Sequence, residues 1–339
     1  MPHSAKRKAL VTGGAGFIGS HLVERLVADG WRVLVIDDLS RGSAENVDPN
    51  AELCRCGLTD SRLAEVVGSF APDVVFHLAA QIDVRRSVAD PVADAETNIL
   101  GSLNLLQACV IANVRQCVFS STGGAMYGTP EVLPANEAQP EQPDSPYGIA
   151  KLAVEHYLRF HRQAHGLSSV SLRYGNVYGP RQDPHGEAGV IAIFIEQMLR
   201  GKRPTIFGDG EQLRDYVYVS DVVEANVAAL DHDIPRPINI GTGVGTSVNT
   251  LFTMLAQKLP FRGGPAYAPA RPGEVMRCYL DGRAAGEHLG WRPRMDLDEG
   301  IDRTVAYFRA RARQHEGSRS EADATALRGR PVREGRGTG

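Results

Sequence analysis

With 339 residues, 42% of them hydrophobic and 23% charged, the chain is long enough to bury a sizeable core and to divide into two domains. A net charge of -3 offers no broad cationic face, which excludes nucleic acid and an anionic membrane surface as main partners and points to a small ligand. The basic residues 1–8 are followed by an apolar run of only Ala9 to Val11, and no apolar stretch reaches spanning length, so neither a signal peptide nor a membrane span is expected and the cytoplasm is the expected compartment.

Short β-rich runs alternate with helical patterns through the first half. In chain order they are KALVT, GFIGSHLVERLVADG, RVLVID, ELCRC, DVVFHLAA, a helix from about Pro91 to Val114, and QCVFSS. This alternation predicts βαβ units and a parallel sheet. Near-continuous apolar strands such as Val33 to Ile36 and Val74 to Phe76 predict burial on both faces, as in a doubly wound Rossmann-type α/β fold. A helix from about Pro146 to His165 and a strand SSVSLRY follow. After Asn176 the pattern becomes less regular, which predicts a smaller α/β substrate-binding domain over 176–312 after a first domain over 1–175. Part of 212–242, with its YVYV and INI strands, is expected to return to the first sheet. From about Arg313 large apolar residues almost vanish, so 313–339 is expected to be a disordered tail. The five cysteines show no CxxC spacing and suit reduced thiols.

Gly13, Gly16 and Gly19 follow the first strand in GxxGxxG spacing and open a helix. Gly13 permits a tight turn, Gly16 lets backbone approach a pyrophosphate, and Gly19 lets the helix pack on the strand. The free N–H groups at the helix start, around Phe17 and Ile18, supply donors and a partial positive charge. Asp37 ends the second strand 18 residues beyond Gly19, where its carboxylate accepts from adenosine ribose hydroxyls and repels a 2′-phosphate. NAD is therefore the expected cofactor. Asp60 has two readings, an adenine contact or a helix N-cap.

Tyr147 and Lys151 stand four residues apart at the start of a helix and so share one face. A lysine ammonium and a nicotinamide cation both favour the phenolate, bringing a phenol towards the working range of a base. The strand end FSST lies 25 residues before the tyrosine, at the sheet edge where ligands of open α/β folds bind. Thr122, or alternatively Ser121, then offers a hydroxyl to a sugar oxygen. Neither HExxH nor GxSxG occurs, which argues against a zinc-dependent or a serine hydrolase, and no metal ligand is assigned.

The sequence resembles the extended short-chain dehydrogenase/reductases, and within them the UDP-glucose 4-epimerases. The likeness runs from about residue 8 to 308 through TGGAGFIG (12–19), HLAAQ (77–81), SSTGGAMYG (120–128), YGIAK (147–151), RYGNVYGPRQ (173–182), GDGEQLRDYVYVSDV (208–222) and RPGE (271–274). The resemblance implies a catalytic group of Thr122, Tyr147 and Lys151, an NAD cofactor, a UDP-sugar substrate, reaction through a 4-keto sugar, and a homodimer built on the 91–114 and 146–165 helices.

The same resemblance assigns Asn176 to the diphosphate, Arg214 and Arg271 to phosphate oxygens, Glu274 to the uridine ribose and Thr205 to Phe207 to the uracil slot. Each has a plainer reading: Arg214 as a surface ion pair with Asp215, Arg271 as a solvated side chain, Phe207 as core. His77 reads as a buried structural residue. Cys278 stands where some relatives carry a bulky tyrosine beside the sugar C2 substituent, which implies room for an N-acetyl group; a small buried cysteine without that consequence is the alternative. Ile82 stands near the point where some relatives carry a lysine after the fourth strand. Gly123 and Gly124 follow Thr122 where sugar dehydratases carry an Asp-Glu pair, which argues against dehydration and decarboxylation. UDP-glucuronate remains open as a substrate, its carboxylate held by that glycine turn or by His185, and the non-enzymatic rival is a nucleotide-sugar sensor.

Overall fold

The computed structural model describes residues 6–185, 189–271 and 275–328, with side chains through Gln314. Seven parallel strands form the main sheet: β1 (Lys8–Thr12), β2 (Arg32–Asp37), β3 (Glu52–Arg55), β4 (Val74–His77), β5 (Gln116–Thr122), β6 (Ser168–Tyr174) and β10 (Ile238–Ile240). Their order across the sheet is β10-β6-β5-β4-β1-β2-β3. Chain direction in the sheet order reverses between β1 and β4, which opens a crevice beyond Thr12 and His77, residues paired across the two strands.

Alternation along each strand sends side chains to two separate cores. Ala9 and Val11 face a layer containing Leu22 and Leu26 of α1 (Phe17–Ala28), with Val222 and Ala225 of α8 (Val219–Ala228) and Ala285 of α10 (Arg283–Leu289). Leu10 faces the other layer with α2 (Leu63–Phe70), α5 (Gly101–Ile111) and α6 (Pro146–His165), through Val67, Leu105 and Val154. Burial of each such Leu or Val side chain is worth roughly 1.5–3 kcal/mol. The two layers account for the near-continuous apolar strands read from the sequence.

Beyond β6 the chain builds a second body. β7 (Asn176–Tyr178), β9 (Leu213–Tyr218), β11 (Gly245–Ser247) and β13 (Arg277–Cys278) form one sheet, and β8 (Thr205–Phe207) pairs with β12 (Ala266–Ala268). Phe194 of α7 (Val190–Leu199), Phe252 of α9 (Val248–Lys258) and Ile301 of α11 (Leu297–Arg328) form its core. β10 leaves this body to become the edge strand of the main sheet beside β6.

One sequence expectation needs correction. The helix expected over 91–114 is three pieces: α4 (Pro91–Ala95), a π-helical turn over Glu96–Leu100 and α5, preceded by α3 (Val84–Ala89). A π turn absorbs an extra residue where side chains must keep facing a site, and Asp94, Asn98 and Ser102 are all buried. α11 continues through Arg328, into the segment expected to form the tail from 313. Residues 329–339 lie outside the described residues. Among the described residues no helix is long and apolar enough to cross a membrane.

Candidate active site

The glycine turn is built as its spacing predicts. Gly13 has φ +70°, and a Cβ there would meet Ala79 N at 2.8 Å; at Gly19 a Cβ would lie 2.1 Å from Gly13 O. α1 starts with Gly16 as N-cap and no side-chain cap, so the first N–H groups, including those of Phe17 and Ile18, are left for an outside acceptor. Asp37 is 7% exposed and accepts from Ala15 N at 3.0 Å and Leu39 N at 2.9 Å. Burial pushes its carboxyl up, while these two amides pull it down. The carboxylate thus locks the turn and keeps lone pairs for a further donor. Asp60 pairs with the Arg62 guanidinium at 2.6 Å and accepts from Arg62 N, which holds its carboxyl well below the usual range; α2 has Arg62 as its N-cap, so Asp60 stands ahead of the helix rather than capping it. Two residues that sequence reasoning passed over bring the second body against α1: Pro180 O meets His21 Nε2 at 3.0 Å, and Arg181 donates to Ser20 Oγ at 3.1 Å and pairs with Glu24.

His77 is structural. Ser102 Oγ donates to Asn98 O at 2.6 Å and therefore accepts from His77 Nε2 at 2.9 Å; Thr12 donates to Nδ1 at 2.8 Å. Burial, with a smaller contribution from Lys151, pushes the imidazole down to about 3, so it stays neutral.

α6 begins where the sequence predicts. Ser145 caps it by accepting from Gly148 N at 3.2 Å, Pro146 occupies the first turn, and Gly166 in the left-handed conformation ends it. Tyr147 N donates to Ser87 Oγ at 3.2 Å, tying the helix start to α3. Lys151 Nζ donates to Ser120 O at 2.8 Å and lies 5.9 Å from the Tyr147 ring centre. In the protein alone, enclosure pushes the Tyr147 phenol up first and the charge of Asp94 adds to that; the expected lowering is for the lysine and a nicotinamide cation together. Lys151 is pushed down to about 8 by burial, with Asp94 and Glu155 opposing.

The two candidate hydroxyls differ. Ser121 donates to Glu155 Oε1 at 2.6 Å. Glu155 also holds Arg173, which is fully buried and bound to Tyr127 Oη at 2.9 Å and Glu141 at 2.9 Å. Thr122 Oγ1 accepts from Ala125 N at 3.3 Å, and among the described residues no acceptor takes its proton.

Behind the tyrosine lies a polar cluster that sequence reasoning missed. Asp94 Oδ1 accepts from Gln81 Nε2 at 3.0 Å and Asn98 Nδ2 at 2.9 Å, and Asn98 also bonds both backbone groups of Gln81. The i, i+4 spacing of Asp94 and Asn98 was the available signal.

Of the residues expected to meet the substrate, Cys278 is buried and its Sγ lies 3.6 Å from Gly123 O, and a Cβ on Gly124 would lie 3.7 Å from Asn176 Oδ1. Cys278 and Asn176 therefore both border the glycine turn after Thr122. Cys278 is paired with Arg214 across β13 and β9. Arg214 donates to Leu213 O, while Asp215 is buried and accepts from Thr242, Gly243 and Leu280, so an Arg214–Asp215 surface ion pair is not the role of that carboxylate. Arg271 lies 4.0 Å over the Phe207 ring, bringing two expected substrate residues together beside Thr205. Glu274 lies outside the described residues. His185 faces Glu196 at 3.7 Å. Among the described residues no group of three or more metal-ligating side chains occurs.

The family model of the NAD dependent epimerase/dehydratase family matches residues 9–241. The chain is similar to the UDP-glucose 4-epimerase of Mycolicibacterium smegmatis, with 47% identity over 308 residues covering 89% of this chain and 98% of that protein. It is similar to the structure of UDP-glucose 4-epimerase with UDP-glucose from Thermotoga maritima, at 50% identity and TM-score 0.89, covering 90% of this chain and 99% of that one. It is also similar to the Thermus thermophilus UDP-glucose 4-epimerase complex with NAD, at 48% identity and TM-score 0.85, covering 89% and 99%.

Proposed function

The chain belongs to the NAD dependent epimerase/dehydratase family, and from that premise we propose that it interconverts the C4 epimers of a UDP-hexose, UDP-glucose and UDP-galactose first among them. The observation that carries the chemistry is the meeting at Lys151, which lies 5.9 Å from the Tyr147 ring centre and donates to Ser120 O at the end of β5, two residues before Thr122. This meeting supports Tyr147 as the group that takes and returns the proton of the sugar 4-hydroxyl. Lys151 supplies the neighbouring positive charge, and the uncommitted Thr122 hydroxyl supports its role as the group that orients the sugar oxygen; Ser121 is occupied by Glu155.

The donor set fits NAD. Gly13, Gly16 and Gly19 leave a backbone cradle that side chains would fill, Phe17 and Ile18 open an uncapped helix, and Asp37 keeps acceptor capacity at the end of β2. Bound there, NAD supplies the acceptor and then the donor of the hydride at C4. The chain's own residues hold the proton at the oxygen of the same carbon. The same reading gives Asn176 to the diphosphate, Arg214 and Arg271 to phosphate oxygens, and Thr205 to Phe207 to the uracil slot. The small side chain of Cys278 beside the glycine turn favours acceptance of a C2 N-acetyl group as well.

The division into an NAD-binding part over 1–175, joined by β10 and α8, and a sugar-binding part over 176–312 follows the same reading. Exposed Val92, Leu100, Ile149, Tyr157 and Phe160 on the α4–α5 and α6 helices support pairing of two copies there. Five free cysteines suit the reducing cytoplasm. The test of the reaction is UDP-glucose deuterated at C4: retention of deuterium at C4 in UDP-galactose is the expected result, and its loss to solvent contradicts the proposal.

A further inference from the structure

We propose that Asp94, the buried carboxylate of α4, is a positioning residue that sets the pH range in which Tyr147 and Lys151 work. The proposal rests on the assignment of those two residues above.

Asp94 is 2% exposed. Gln81 and Asn98 fix its Oδ1 through two amide bonds, and its Oδ2 is buried with no hydrogen-bond partner among the described residues. A buried carboxylate without a contacting cation is costly unless a favourable charge nearby offsets the burial. α4 packs against α6, the helix that carries Tyr147 and Lys151. The other groups facing the pair differ in kind. Glu155 on α6 is neutralised by Arg173 of β6 at 2.6 Å. His77 of β4 is neutral, and β5 presents only the Ser120 carbonyl to the ammonium. Asp94 is therefore the one carboxylate of this set, among the described residues, whose charge no contacting cation cancels.

Its effect on both groups has one sign. A negative charge favours the Lys151 ammonium against burial and disfavours the Tyr147 phenolate. The lysine is thereby kept charged inside the fold, and the tyrosine keeps its proton between turnovers. Removing the charge while keeping the shape moves both titrations to lower pH together.

The experiment is the pH profile of kcat for the NAD-loaded protein, its Asp94→Asn and Asp94→Glu variants, and Tyr147→Phe. Asp94→Asn preserves an acceptor for Gln81 and Asn98, and Asp94→Glu preserves the charge. The expected result is a shift of both limbs to lower pH by about a unit in Asp94→Asn, with the limbs of Asp94→Glu close to those of the unaltered protein even where its turnover is lower. Asp94→Asn limbs that stay in place under a uniformly lower rate, or a Glu variant that shifts like the Asn variant, overturn the proposal. Retained turnover in Tyr147→Phe instead overturns the catalytic assignment on which it rests.

Discussion

The Ser121 hydroxyl donates to Glu155 Oε1 at 2.6 Å, which commits it to a buried ion pair and leaves the adjacent Thr122 as the hydroxyl available to a ligand. Thr122→Val is therefore expected to lower kcat by about 10²-fold or more with little change in melting temperature. Ser121→Ala is expected to cost about 1–3 kcal/mol of stability and much less of the rate. Turnover and thermal unfolding of the two variants separate these outcomes, and the reverse pattern would assign the chemistry to Ser121.

Tyr147→Phe deletes the group proposed to move the 4-hydroxyl proton. A fall in kcat of about 10²–10⁴-fold with UDP-sugar affinity retained is expected. Calorimetric titration with UDP and the epimerisation rate check both halves.

Lys151 is pushed down from 10.5 to about 8, by burial first, with Asp94 and Glu155 pulling it back up. Turnover that needs the ammonium should fall as pH passes about 8. The sign for stability is the opposite: a depressed folded-state value means that the unfolded chain binds this proton more tightly. The group's contribution therefore grows more favourable as pH rises from about 8 towards 10.5. Parallel pH series of kcat and melting temperature for the protein and Lys151→Met test the pair of slopes.

A Cβ at position 19 would lie 2.1 Å from Gly13 O. Gly19→Ala is expected to cost about 1–3 kcal/mol and to strip NAD from the purified protein, read as cofactor released on acid denaturation. Full NAD content in that variant would place the cofactor elsewhere.

Cys278→Tyr fills the space beside Gly123 O, where the thiol now sits at 3.6 Å. The ratio of kcat/KM for UDP-N-acetylglucosamine over UDP-glucose should fall at least about tenfold, the scale of discrimination a filled apolar pocket provides. An unchanged ratio would reduce Cys278 to a small core residue.

The Rossmann half was legible because its strands are buried on both faces and its caps are local: Ser145, Pro146 and Gly166 bound α6 at the residues the sequence suggests. The glycine turn and YxxxK were legible for the same reason, since each is set by short-range spacing. What escaped were groups that meet only in three dimensions. Asp94 reaches Gln81 from 13 residues away, and Arg173 reaches Glu141 and Tyr127 from neighbouring elements. A YxxxK pattern likewise carries the lysine's charge but not the enclosure and the Asp94 carboxylate that push the Tyr147 phenol up.

The most direct test of the central claim is an NMR time course of the purified protein, with no NAD added, mixed in turn with UDP-glucose, UDP-N-acetylglucosamine and UDP-glucuronate. The account predicts interconversion of gluco and galacto anomeric signals for UDP-glucose, with the N-acetyl sugar also turned over. A dehydrated or decarboxylated product, or unchanged UDP-glucose from a protein that carries bound NAD, would contradict it.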